Sequence, residues 1–191
     1  TVKLAPVRMQ WRGVELNLID TPGHVDFSYE VSRSLAAVEG AVLVVDATQG
    51  IQAQTLANLE LARAQGLTVI PVVNKIDLPN AEADRVVADL AQLLGAPSSA
   101  IIRASAKNGT GVTDILDRVV RDVPPPRGRI EAPLRALIFD STFDAYQGVI
   151  VFVRVVDGQA AANQPIHFIA TDRSSLSLEV GTFTPKRQSC T

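Results

Sequence analysis

The segment Asp20-Thr21-Pro22-Gly23-His24 is the first candidate for chemistry, because it follows a predicted strand. A carboxylate at a strand end can hold Mg²⁺, directly or through water, beside a nucleotide phosphate. Gly23 has no Cβ, so its backbone N–H can come close to a phosphate oxygen. His24 can orient water or accept a proton from it near neutral pH. The alternative is an ordinary turn with Pro and Gly in their usual places.

A second candidate segment is Asn74-Lys75-Ile76-Asp77, which follows an apolar run. The Asp77 carboxylate has two acceptor oxygens, which suit the adjacent N1–H and amino donors of guanine, whereas adenine presents the wrong pattern. Asn74 can bond the base edge or tie neighbouring loops, and the stem of Lys75 can cover the base face. The alternative is a polar loop with Asp77 near a helix start.

The third segment, Ser105-Ala106-Lys107, follows another apolar run. The backbone N–H of Ala106 could donate to the carbonyl oxygen of guanine, although a Ser- and Gly-rich loop before a helix explains the segment equally well. The three segments begin at positions 20, 74 and 105, and each spacing fits one or two βα units. Because an open α/β sheet places its ligand at the carboxyl ends of its strands, we expect the three loops to converge.

The elements that position these loops alternate between strand and helix. Strands are predicted at 14–20, 41–46, 67–73 and 100–104, and helices at 25–38, 52–65, 82–94 and 112–123. The strand predicted at 41–46 is continuously apolar up to Asp46, which is typical of a parallel strand covered on both faces. The pattern therefore predicts an α/β fold with a mostly parallel sheet, flanking helices and right-handed crossovers.

The composition changes at Pro124-Pro125-Pro126, which cannot continue a helix. Residues 124–133 are predicted to form a proline-rich linker between a first domain over 1–123 and a second over 134–191. In the second part, strands are predicted at 134–140, 149–156, 166–170 and 176–180, with no helical stripe. This pattern predicts part of an all-β barrel domain.

Composition excludes several function classes. The 191 residues carry a net charge of −2 with 47% hydrophobic and 20% charged residues, as in a soluble globular chain. Near-zero charge gives no electrostatic case for nucleic acid or an acidic membrane. The single cysteine, Cys190, excludes an internal disulfide and a cysteine metal cluster and indicates a reducing compartment. No apolar run approaches the ~18 residues of a transmembrane helix.

The three loop segments, in this order, resemble those of the translational GTPases. Residues 20–78, 132–158 and 180–186 are similar to one branch of that family, and the resemblance extends over essentially the whole chain. It implies a P-loop GTPase-type sheet followed by a β-barrel domain. It also implies a ribosome-associated enzyme that hydrolyses GTP to GDP and acts on elongation or translocation fidelity during protein synthesis.

The same resemblance implies roles for individual residues. Asp20 would serve Mg²⁺ through water, Gly23 would sense the γ-phosphate, and His24 would be the catalytic residue that positions the attacking water. The guanine base would be bound by Asn74, Lys75, Asp77 and Ala106, with Ser105 and Lys107 in the same loops. The implied partners are GTP or GDP, Mg²⁺ and the ribosome, and the implied location is the bacterial cytoplasm. Peripheral association with the inner membrane and an organelle version are alternatives.

The 191 residues contain no Gly-x-x-x-x-Gly-Lys-Ser/Thr run, the loop that cradles phosphates in these enzymes. In the family this loop and the Mg²⁺-binding switch threonine lie upstream of the residues that match Val2-Lys3-Leu4, so the chain resembles an internal fragment. We expect the missing first strand to lie between 14–20 and 41–46, and the chain alone to hydrolyse no GTP. Two other functions remain open, a non-hydrolysing ribosome- or protein-binding module and another translational GTPase such as a translocase or ribosomal-protection factor.

Overall fold

The computed structural model describes residues 5–23, 27–184 and 186–189. By contact, the chain divides into two compact units, one of Pro22–Pro125 and one of Thr1–Thr21 with Pro126–Thr191. The division at Pro125 falls inside the predicted linker of 124–133. The predicted first domain of 1–123 includes the first 21 residues, whereas by contact these residues group with the C-terminal residues. His24 and Cys190 lie outside the described residues.

The N-terminal residues form a β-hairpin of β1 (Ala5–Trp11) and β2 (Val14–Asp20). The strands are antiparallel, with Ala5 opposite Asp20 and Trp11 opposite Val14. Arg12 and Gly13 connect them with φ values of 48° and 79°, and a two-residue turn of type I′ requires positive φ at both positions. β2 agrees with the predicted strand, whereas β1 is absent from the predicted elements.

The unit Pro22–Pro125 alternates strands and helices, which confirms the predicted α/β fold. Its elements are α1 (Ser28–Leu35), β3 (Gly40–Asp46), α2 (Ala53–Ala64), β4 (Thr68–Asn74), α3 (Ala83–Leu94), β5 (Ile102–Arg103) and α4 (Val112–Asp122). The three strands are parallel and lie in the order β3-β4-β5. β5 is shorter than predicted because Ser98–Ala100 forms a single turn of 3₁₀ helix.

Both faces of β4 are buried. Val73 packs with Leu90 of α3 on one face, while Ile70 and Val72 pack with Val119 of α4 on the other. Successive side chains of a strand point to opposite faces, so a strand between two helical layers needs an apolar residue at nearly every position. Because β3 pairs with β4 in parallel, the carboxyl ends of these two strands lie at one edge of the sheet.

Residues after the linker form β6 (Arg135–Asp144), β7 (Gly148–Asp157), β8 (Pro165–Phe168), β9 (Arg173–Leu176), β10 (Gly181–Thr184) and β11 (Lys186–Ser189). Each strand pairs antiparallel with its neighbour in sequence, in three hairpins. The all-β character of this region is as predicted. In the described part of the chain these six strands pair within the hairpins, and no ladder joins one hairpin to the next.

The prediction of a strand at 176–180 is wrong, because the strand in this region is β9, which ends at Leu176. Asp172 has a left-handed φ of 51° and ends the β8–β9 connection, so pairing begins with Phe168 opposite Arg173. After β9, the Ser177 hydroxyl donates to the carbonyl oxygen of Ala161 at 2.7 Å, which draws the chain away from an extended path. The apolar residues of 176–180 are thus a misleading pattern.

No helix in the described ranges is long and apolar enough to cross a bilayer.

Candidate functional site

Two loops meet at the carboxyl ends of β4 and β5. The Ser105 hydroxyl donates to Asp77 Oδ1 at 2.6 Å, and the Ala106 backbone N–H donates to Asn74 Oδ1 at 3.0 Å. Because β4 and β5 are parallel neighbours, both loops leave the same edge of the sheet. The structure therefore brings together the second and third predicted segments.

An open cavity of about 270 Å³ lies between these loops, and its lining residues are Asn74, Lys75, Asp77, Leu78, Ala106 and Lys107. Five of the six residues predicted for the base-binding loops line it. The sixth, Ser105, is only 1% exposed and lies behind Asp77. Leu78 is a lining residue that was not among those predicted, and it adds an apolar surface to the cavity.

Asp77 presents an ionised carboxylate to the cavity. The hydrogen bond from Ser105 lowers the pKa of Asp77, and the positive charge of Lys107 adds to this effect. Ser105 Oγ in turn accepts the backbone N–H of Asn108 at 3.2 Å, so the buried hydroxyl is itself fixed. Asp77 does not begin the next helix, because α3 starts at Ala83 and Glu82 occupies its N-cap position. Asp77 is thus held as a hydrogen-bond acceptor.

Asn74 had two possible tasks, bonding a base edge or tying loops together. In the structure its Oδ1 accepts the Ala106 N–H, so it ties the loop after β4 to the loop after β5. This N–H is the donor that the sequence assigns to the guanine carbonyl. The donor is therefore already engaged within the protein, and a ligand carbonyl would have to share it with Asn74.

Lys75 connects the cavity to the end of β3. Its Nζ donates to Asp46 Oδ2 at 2.5 Å. Burial alone would raise the pKa of Asp46, but hydrogen bonds from Lys75 and Thr48 outweigh burial and hold that pKa below its ordinary value. Asp46 and Thr48 are absent from the predicted site. The signal that the sequence offers for Asp46 is its place at the end of an apolar run, and the structure then sets it opposite Asn74 in the register.

The loop after β5 depends on a close backbone approach at Gly111. Gly111 has φ of 73°, and a Cβ at this position would lie 2.2 Å from the carbonyl oxygen of Arg103. Gly109 also has a left-handed φ, of 80°, but a Cβ there would meet no atom within 4 Å. The two glycines therefore separate the effect of backbone conformation from the effect of a clash.

We expect Gly111→Ala to lower the free energy of unfolding by about 3 kcal/mol, because it adds a clash to the cost of a left-handed backbone. The matched control, Gly109→Ala, should lower it by only about 1 kcal/mol, the cost of that backbone alone. Urea unfolding of both variants beside the wild type measures the difference. Equal losses would show that the approach to Arg103 does not constrain the loop.

The first predicted segment is only partly described. Asp20 is the last residue of β2, and Gly23 is exposed in a stretch without regular structure. Among the described residues, no atom lies within 4 Å of the position that a Cβ on Gly23 would take. Within the described residues no cluster of three or more His, Cys, Asp or Glu could hold a metal ion.

The comparison with known proteins adds independent evidence. Residues 1–125 match the family of the elongation factor Tu GTP binding domain. Elongation factor 4 of Desulforudis audaxviator is 56% identical over 97% of this chain and 32% of its own length. Elongation factor 4 of Mycobacterium tuberculosis is 54% identical over 100% of this chain and 30% of its own length. The chain thus spans about a third of the length of these curated relatives.

Solved structures share the fold. Elongation factor SelB from Methanococcus maripaludis, in complex with the GTP analogue GppNHp, superposes with a TM-score of 0.81 at 20% identity over 100% of this chain and 43% of that chain. The bacterial selenocysteine-specific elongation factor EF-Sec gives a TM-score of 0.79 at 19% identity, over 99% of this chain and 34% of that chain. The branch indicated by residues 20–78 and 132–158 is the one that carries the name elongation factor 4, or LepA, so that resemblance is confirmed.

Proposed function

Because this chain belongs to the elongation factor Tu GTP binding domain family, we propose that its cavity beyond β4 and β5 binds the guanine base of GTP and GDP. We further propose that the whole protein hydrolyses GTP to GDP on the ribosome during translation elongation. The name elongation factor 4, carried by relatives 54–56% identical to the chain, supports this assignment. The proposed location is the bacterial cytoplasm, with peripheral association with the inner membrane as a further proposal.

The observation that carries the proposal is the fixed carboxylate of Asp77. Guanine presents two adjacent donors, N1–H and the 2-amino group, and an ionised carboxylate can accept from both. Ser105 holds Asp77 Oδ1 at 2.6 Å and keeps the group ionised. Adenine has an acceptor at N1 and would face the same carboxylate with repulsion. The cavity is therefore selective for guanine through one side chain.

The other lining residues fit the two remaining sides of a base. Leu78 and the carbon stem of Lys75 offer surface for a flat ring, and both line the cavity. Ala106 offers its N–H toward the guanine carbonyl, in competition with Asn74. Lys107 lines the cavity as well and adds positive charge near Asp77. In this arrangement Asp77 supplies specificity, and the other residues supply affinity.

The phosphate side of the proposed site rests on the first segment. There Asp20 would hold Mg²⁺ through water, and the ion would neutralise charge on the phosphate oxygens. Gly23 would bring its N–H close to the γ-phosphate, because it has no Cβ. His24 would orient the attacking water and accept its proton. These roles follow from residue type and from the resemblance to translational GTPases.

Nucleotide binding and hydrolysis by the whole protein test the proposal. A fluorescent GDP analogue should be displaced by GDP and GTP, but not by ADP or ATP at the same concentrations. Ribosomes should then accelerate the hydrolysis of GTP. Equal displacement by ADP would contradict the guanine site. Guanine-selective binding without ribosome-stimulated hydrolysis would favour the non-hydrolysing binding module over the enzyme.

A further inference from the structure

We propose that Asp46 is a positioning residue for the nucleotide site. Asp46 holds the ammonium of Lys75, so that the lysine stem stays over the base. This inference rests on the proposed function, because it concerns how the same cavity covers its ligand. Asp46 was not among the residues that the sequence predicts for the site. Its role follows from the neighbouring position of β3 in the sheet and from the contacts of its two carboxylate oxygens.

Asp46 is placed beside the cavity by strand pairing. It is the last residue of β3, and in the parallel register it lies opposite Asn74, the last residue of β4. The Ala47 N–H donates to the carbonyl oxygen of Asn74 at 2.8 Å, so the turn after β3 is tied to the loop that carries Lys75. The distance between the two loops is thus set by backbone hydrogen bonds.

The two oxygens of Asp46 have separate tasks. Oδ1 accepts the backbone N–H of Thr48 at 2.8 Å and the Thr48 hydroxyl at 2.7 Å. Oδ2 accepts the Lys75 ammonium at 2.5 Å. Because Thr48 makes two bonds to one oxygen, the carboxylate cannot rotate freely and its other oxygen stays directed at Lys75. The Asp46 side chain is only 17% exposed, which reduces screening by water on its side of the pair.

Lys75 is the more exposed partner of this pair. Its side chain is 52% exposed, although the residue lines the cavity. A four-carbon stem has many rotamers, and an unpaired ammonium would sample most of them. The ion pair with Asp46 selects those conformations in which the ammonium lies at the end of β3. A base entering the cavity then meets a lysine stem that is already ordered, which reduces the entropy lost on binding.

This arrangement makes a specific claim about affinity and specificity. Asp77 distinguishes guanine from other bases through its hydrogen-bond pattern, whereas a lysine stem contacts the face of a ring and is indifferent to its edge. Loss of the Asp46 charge should therefore weaken the binding of GDP and the binding of xanthosine diphosphate by the same factor. The ratio of the two affinities should remain that of the wild type.

A double-mutant cycle in the whole protein tests the inference, with GDP affinity measured by equilibrium titration. Asp46→Asn keeps an acceptor oxygen for Thr48 but removes the negative charge. It should weaken GDP binding by about threefold, as expected for an ion pair whose lysine is half exposed. Lys75→Met keeps an apolar stem and removes the ammonium. In the Lys75→Met background, Asp46→Asn should have no further effect on GDP affinity. With Lys75 intact, Asp46→Glu should retain most of the wild-type GDP affinity, because it keeps the negative charge.

Two further measurements separate positioning from a general structural effect. The difference between wild type and Asp46→Asn should shrink in high salt, because salt screens the pair. The matched control is Asp89→Asn, which removes an exposed carboxylate bonded to Arg85 on α3 and should leave GDP affinity unchanged.

Three results would overturn the inference. Wild-type affinity in Asp46→Asn would exclude a positioning role while leaving the guanine site intact. A loss that persists in the Lys75→Met background and in high salt would assign Asp46 to folding of the turn. If the wild-type protein binds no guanine nucleotide at all, the proposed function itself fails, and the role of Asp46 fails with it.

Discussion

Asp77→Asn in the whole protein should shift the preference from GTP towards xanthosine triphosphate by roughly 100-fold in relative affinity. Xanthine carries a carbonyl where guanine carries its amino group, and an amide can donate where a carboxylate only accepts. The amide oxygen can still accept the Ser105 hydroxyl, which now holds Asp77 Oδ1 at 2.6 Å, so the new side chain keeps its anchor. The exchange therefore alters the hydrogen-bond pattern and leaves the cavity in place.

Competition between the two nucleotides measures this shift directly. The control Asp84→Asn removes an exposed carboxylate that pairs with Arg103, and it should keep the wild-type preference. The wild-type preference should also hold across neutral and moderately acidic pH. Ser105 lowers the pKa of Asp77, so the acceptor form persists as pH falls and is lost only below the ordinary range of an aspartate. An unchanged preference for GTP in Asp77→Asn would remove the role assigned to Asp77.

His24→Ala should preserve GTP binding by the whole protein but slow ribosome-stimulated hydrolysis by about 10²–10⁴-fold. Hydrolysis needs a water held in line with the γ-phosphate, and one side chain that positions water and handles its proton contributes a factor of this size. In the proposed site the base is bound by the cavity beyond β4 and β5, through Asn74, Lys75, Asp77 and Ala106. A group used only in the transition state lowers the rate constant without changing nucleotide affinity.

Single-turnover hydrolysis on ribosomes, run beside an equilibrium measurement of GTP affinity, distinguishes the two effects. The sequence provides a matched control in its other histidine, His167 of β8, whose Nδ1 lies 3.3 Å from Ser174 Oγ. His167→Ala should hydrolyse GTP at the wild-type rate. Wild-type rates in His24→Ala would assign His24 to the surface beside a turn. A parallel loss of GTP affinity would assign it to binding.

The α/β unit was predictable because burial on both faces leaves a strong pattern in the sequence. β3 and β4 are apolar at nearly every position, and α3, which follows β4, shows apolar residues at helical spacing. The meeting of Asn74 and Asp77 with Ala106 and Ser105 also follows from sequence, since parallel strands bring their carboxyl ends to one edge.

What escaped prediction depends on pairing between segments. The contact of Lys75 with Asp46 requires β3 to lie next to β4, and strand order is a tertiary property that no local pattern contains. β9 is mostly polar, and its Arg-Ser-Ser-Leu sequence forms a strand because β8 offers a partner after the turn at Asp172. The hairpin of β1 and β2 had a readable signal in the turn Arg12-Gly13, flanked by alternating residues.

The contacts that shape the cavity join residues far apart along the chain. Ser105 and Asp77 are 28 positions apart, Ala106 and Asn74 are 32 apart, and Lys75 and Asp46 are 29 apart. Each such contact requires the chain between its two residues to close into a loop, which costs conformational entropy. The cavity is complete only when these contacts are formed, and a base bound there would favour the folded unit. By mass action, nucleotide concentration would then set the resistance of this unit to unfolding.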